Sequence, residues 1–139
     1  MLDLKAAQHL IAQAAARAGA DYGRPICAAV CDANGFLMAF AREAGAPVRS
    51  IAIAQGKAYS AARMGVDTAA FLERLQRDNL QPGHFCDERL TALPGGAVLR
   101  NAAGELQGGL GISGLTSLQD QTIASALAAE WAKTPGAIA

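Results

Sequence analysis

Two apolar runs separated by an Asn-Gly turn constrain this chain more than any other feature. Residues 26–31 read ICAAVC and residues 36–41 read FLMAFA, with Asp32-Ala33-Asn34-Gly35 between them. Asn and Gly both tolerate positive φ, which a tight turn between antiparallel strands requires. A second hairpin is predicted from 97–101 (AVLRN) and 105–113 (ELQGGLGIS), joined around Asn101-Ala102-Ala103-Gly104. Hairpins mean antiparallel pairing, so the sheet is not a doubly wound parallel one.

The remaining segments read as helices. Leu4, Ala7, Leu10, Ile11, Ala14 and Ala18 follow 3–4 spacing, predicting a helix over 3–18 with Asp3 as cap and Gly19 as stop. A second helix is predicted over 50–64, from Ser50 as N-cap to Gly65. A shorter one covers 68–77, capped by Asp67 or Thr68. The last runs from Ser117 to about Trp131, with Ser117 and Asp120 at capping-box spacing. Thr134 to Ala139, with Pro135 and Gly136, is expected to be loose. The expected architecture is α+β, one domain over 1–139, with helices covering a sheet.

The strands and helices must pack through small side chains. The 139 residues include 33 alanines and 15 glycines, and only 5% are aromatic. Hydrophobic residues make up 52%, which excludes a disordered chain. Twelve basic residues balance twelve acidic ones, so the basic excess of a nucleic-acid binder is absent. Zero net charge and an apolar-rich surface favour self-association, and a homo-oligomer is expected. No run of about 18 apolar residues predicts a membrane span. The N-terminal segment, broken by Gln8, His9 and Gln13, reads as a helix and not a signal peptide, so the cytoplasm is expected.

The chemistry-bearing residues are few. Cys27 and Cys31 share a strand face about 13 Å apart, too far for a disulfide or a shared metal, and read as core residues. Cys86 stands alone in a loop. His84-Phe85-Cys86-Asp87 falls short of a zinc pattern, and no metal is expected. Lys57 is more informative: it sits mid-way along an alanine-rich helix with few other charges. Ser50 lies about 20° away around that helix and about 10 Å along it, and Ser60 is one turn on. These three predict one wall of a pocket, where Lys57 would bind a carboxylate or act as an acid or base. Arg42 and Arg49 bracket the loop leading into the same helix and add positive charge. Ser113, Gly114 and Ser117 sit at a helix N-terminus, where free N–H groups favour an anion. The glycines around Gly111, and Pro94-Gly95-Gly96, predict bare backbone that a flat ligand approaches. A plain capped helix, a turn and a solubilising lysine are the bland readings of the same residues.

Taken together, these pieces resemble the GlcG/HbpS-like family, which includes the C-terminal domain of PduO-type proteins. The resemblance runs from Pro25 and the Asp32-Ala33-Asn34-Gly35 turn, through Ser50-Ile51-Ala52 with Lys57-Ala58 and Pro94-Gly95-Gly96. It closes on Gly109-Leu110-Gly111-Ile112-Ser113-Gly114 with Gln119-Asp120. It implies a profilin-like fold, a central antiparallel sheet flanked by helices, and oligomers. Some members bind haem, which makes haem the implied cofactor; the resemblance matches no haem-ligating side chain to a position here, and His9, on the first helix, is a weak candidate ligand read from the residues alone.

Three functions follow as expectations. The first is binding of haem or another flat carboxylated molecule between the Lys57 helix, the Gly-rich strand and the start of the last helix. The second is an isomerase- or lyase-type enzyme using Lys57 and Asp120 as acid and base. The third is an oligomeric scaffold with a vestigial pocket.

Overall fold

A computed structural model describes residues 1–134. The elements run α1 (Leu4–Tyr22), β1 (Cys27–Asp32), β2 (Leu37–Arg42), α2 (Ser50–Met64), α3 (Thr68–Asp78), β3 (Gly96–Arg100), β4 (Leu106–Ser113) and α4 (Ser117–Lys133). A single 3-10 turn, Pro82–Phe85, lies in the long connection after α3. The four strands form one antiparallel sheet in the order β2-β1-β4-β3. The fold is the expected α+β arrangement, a central antiparallel sheet flanked by helices. Beyond Thr134, the tail expected to be loose lies outside the described residues.

Strand alternation divides the sheet into two unlike faces. Ala28, Val30, Ala97, Leu99, Leu110 and Ile112 point to one side and pack with Leu10, Ile11, Ile123, Leu127 and Trp131 of α1 and α4. This is the larger core, and it carries most of the branched and aromatic side chains. Cys27, Ala29 and Cys31 point to the other side, against Ala54, Ala58 and Ala62 of α2. Ala29 is paired with Gly111, and Cys31 with Gly109, so this second face is paved with the smallest residues available.

Helix α2 therefore sits almost backbone to backbone on the sheet. A Cβ added at Gly111 would fall 2.0 Å from the carbonyl oxygen of Ala54, and one at Gly109 would fall 2.2 Å from that of Ala58. The Cys31 thiol donates to the Ala58 carbonyl at 3.2 Å. The glycines do admit a close neighbour, as their bare backbone predicts, but the neighbour is α2. The expected flat ligand against the Gly111 strand has no room there.

Several boundaries differ from the sequence reading for local reasons. Helix α1 passes through Gly19, where nothing crowds the backbone, and stops at Gly23, whose φ of 64° is the left-handed stop. The box at the start of α4 is Thr116 with Gln119, one residue earlier than Ser117 with Asp120. Ser50 does not cap α2: it is the first helical residue, preceded by Arg49 in helical geometry. Asp67 sits at the N-cap of α3, yet its carboxylate accepts from Val98 N–H and Ser125 Oγ, tying α3 to β3 and α4.

Candidate functional site

Freed from capping, Ser50 faces β4. Its hydroxyl accepts from Ser113 Oγ at 3.0 Å, and both residues are buried. Two turns further on, Lys57 turns inward as the sequence suggested and is only 2% exposed. Its Nζ donates to Ile112 O at 2.8 Å and to Asp120 Oδ2 at 3.0 Å. The other oxygen of Asp120 accepts from Leu115 N–H at 3.1 Å, which fixes the carboxylate at the first turn of α4. Burial pushes Lys57 below the usual lysine range, with the Asp120 charge opposing it. Burial also pushes the Asp120 carboxyl up, opposed by Lys57 and the Leu115 N–H. An ammonium engaged with a carboxylate has no lone pair with which to accept a proton.

The ion pair forms the floor of a cavity of about 230 Å³ between the start of α2, the end of β4 and the start of α4. Arg49, Ser50, Lys57, Ser113, Gly114, Ser117 and Asp120 line it, all of them residues the sequence singled out. Arg24, Ile53, Leu93 and Leu115 also line it and were not anticipated. Arg24 precedes β1, and the pairing of Cys27 with Ser113 brings that end of β1 to the cavity.

Other expected site residues lie elsewhere. Arg42 turns back on its own loop and donates to the Ala46 carbonyl. Ser60 is buried and accepts from Thr91 N–H, so it anchors the connection before β3. Gly95 and Gly96 are buried and present no open wall. Gly95 N–H donates to Gln121 Oε1, and Gly96 N–H donates to Thr68 Oγ1. A Cβ on Gly95 would meet Lys57 Nζ at 2.6 Å, so this glycine closes the back of the ion pair. Pro94 leads into that contact and is absent from the cavity lining, as is Gly111.

A second cavity, about 410 Å³, opens between α1 and the later turns of α4. Leu10, Leu127 and Trp131 form its apolar wall, and Lys5, His9 and Gln13 stand along α1 beside it. The indole N–H of Trp131 donates to Gln107, which holds the ring in place. Glu130 at the rim is paired with Arg17. His84, the other histidine, is engaged: its Nδ1 accepts from Gln81 N–H within the 3-10 turn. Among the described residues no group of three His, Cys, Asp or Glu side chains could hold a metal ion.

Residues 2–129 match the family described as haem degrading protein HbpS-like. The chain belongs to the HbpS-like family. A double mutant of HbpS from Streptomyces reticuli shares 30% identity and superposes with a TM-score of 0.82, covering 93% of this chain and 86% of that one. A PduOC:haem complex shares 27% identity at a TM-score of 0.76, over 88% of this chain and 89% of that one. The Klebsiella pneumoniae protein ORFY, at 24% identity and a TM-score of 0.81, covers 96% and 91% and speaks for the HbpS-like fold alone. No curated protein matches the sequence. No helix among the described residues is long and apolar enough to cross a membrane.

Proposed function

We propose that this protein binds haem in the cleft between α1 and α4, with His9 as the ligand to the iron. The observation that carries the proposal is an imidazole with no hydrogen-bond partner among the described residues, beside an apolar cavity, in a chain whose relatives include a haem complex. A haem seat needs an apolar slot, a ligand for the iron and a cation for the propionates. Leu10, Leu127 and Trp131 supply the first, His9 the second and Lys5 the third. The cleft volume falls within the range of about 300–1,000 Å³ usual for ligand sites. The polar cavity is smaller, its lining has no histidine, cysteine or methionine, and its lysine is held by Asp120, so it does not suit the macrocycle. When bound, haem would supply its own redox and oxygen chemistry, while the protein positions it.

Titrating the chain with haemin tests this. The Soret band should shift and sharpen at one equivalent, with quenching of Trp131 emission. His9→Ala should abolish the shift while the far-ultraviolet circular dichroism is unchanged. A Soret band that is unchanged on addition, or identical in His9→Ala, refutes the assignment.

The protein also assembles with itself in this reading. Phe36 and Leu37 are 68% and 51% exposed at the start of β2, an open edge of the sheet. Sedimentation velocity should give a mass above one chain, lowered by Phe36→Asp. The acid–base enzyme reading draws no support from Lys57 and Asp120 holding each other.

A further inference from the structure

The polar cavity has no task in haem binding, yet its lining is rich in hydrogen-bond donors. The buried hydroxyls of Ser50 and Ser113 carry two hydrogens, and one lies between them. The other has no acceptor among the described residues. Lys57 carries three hydrogens and donates to two acceptors. Its third is likewise without a protein acceptor. Every buried side-chain nitrogen and oxygen among the described residues already has a partner, so these spare hydrogens remain for an occupant of the cavity, water or an oxygen-bearing ligand.

Charge points the same way. Arg24 and Arg49 line the cavity at exposed positions and form no ion pair among the described residues, although the Arg24 charge is felt by Asp120. Asp120 is the single acidic residue in the lining, and Lys57 neutralises it. Two positive charges remain, which water can solvate but not neutralise. Ser117 opens α4, so the positive end of a 17-residue helix adds to them. The remaining wall is apolar, formed by Ile53, Leu93 and Leu115. At about 30 Å³ per water, the cavity has room for about seven, which sets the size of an occupant.

We propose that this cavity binds a short-chain organic carboxylate, at a site separate from the haem cleft. The carboxylate meets the hydrogens of Lys57 and the Ser50–Ser113 pair and the charges of Arg24 and Arg49. The carbon chain lies against Ile53, Leu93 and Leu115. The two sites share no lining residue and lie towards opposite ends of α4, so occupancy of one does not require the other.

Isothermal titration calorimetry on the full chain at low salt tests the proposal, with propionate, butyrate, succinate and inorganic phosphate as probes. At least one carboxylate should bind with a Kd of about 1 mM or tighter. Arg24→Ala/Arg49→Ala, at exposed positions, should weaken it at least tenfold with the fold intact. Ser50→Ala should weaken it as well, whereas His9→Ala should leave it unchanged. No heat from any carboxylate up to about 10 mM overturns the proposal. So does binding of phosphate alone, or an affinity unaltered in both cavity variants.

Discussion

Replacing Asp120 by alanine removes the carboxylate that faces the Lys57 ammonium at 3.0 Å, in a place where both side chains are at most 3% exposed. At an effective dielectric constant of 20 the attraction across that distance is about 5 kcal/mol, and it is opposed by the cost of taking both charges out of water. The net worth of the pair is therefore small, but the cost of breaking it is not. Asp120→Ala leaves an ammonium with only the Ile112 carbonyl, and Lys57→Met leaves a carboxylate with only the Leu115 N–H. Each single variant should lose about 3–5 kcal/mol, a large part of the 5–15 typical of a domain. The double variant should lose less than either, because no uncompensated charge remains. Urea unfolding followed by the single tryptophan, Trp131, reads all four proteins.

The two single variants should also respond to pH in opposite senses. In Lys57→Met the raised pKa of Asp120 lies above its unfolded value, so its contribution is full below about pH 3.8 and is lost as pH rises through the folded value. In Asp120→Ala the lowered pKa of Lys57 acts the other way. Its contribution is full above about pH 10.5 and is lost as pH falls through the folded value. Removing the partner enlarges both shifts, since each partner opposes the burial of the other. Single variants costing under about 1 kcal/mol, or strictly additive ones, would refute a buried, coupled pair.

Two further outcomes follow from packing and burial. Gly111→Ala should cost at least the 1–3 kcal/mol usual for overpacking, because its Cβ meets the backbone of α2, whereas Gly19→Ala should stabilise by about 0.5–1 kcal/mol. Paired urea midpoints check both, and a harmless Gly111→Ala would contradict the close seating of α2. Burial pushes the Cys31 thiol up to about 11 and raises that of Cys27, while Cys86 is exposed. A disulfide reagent at about pH 8 should therefore titrate one thiol rapidly in the native protein and three after denaturation; three rapid thiols would contradict the core.

The hairpins were legible because a turn residue pair and flanking apolar runs are local signals. Lys57 stood out as a cation midway along an alanine-rich helix, but a solubilising lysine has the same pattern, and only its burial against β4 and Asp120 tells the two apart. What the sequence hid were effects of register and of distant partners. Gly19 looks like a helix stop and Gly23 is one, and the difference is whether tertiary packing carries α1 past the first. Arg24 reaches the cavity only because Cys27 pairs with Ser113, a register that no pattern in either strand encodes. The glycines of β4 announced a close approach, but nothing local said that α2 makes it. Arg42 and Arg49 look equivalent in the chain, and a single carbonyl, that of Ala46, sets them apart.

The seating of α2 on bare strand backbone also bears on how such a protein can change over time. A helix held at that distance tolerates almost no new atoms beneath it, so the base of the polar cavity is close to immutable. Arg24, Arg49 and Leu93 hang from connecting segments and can be exchanged without disturbing it. Diversification among relatives would then write new selectivity on the lip of the cavity while the ground under it stays the same.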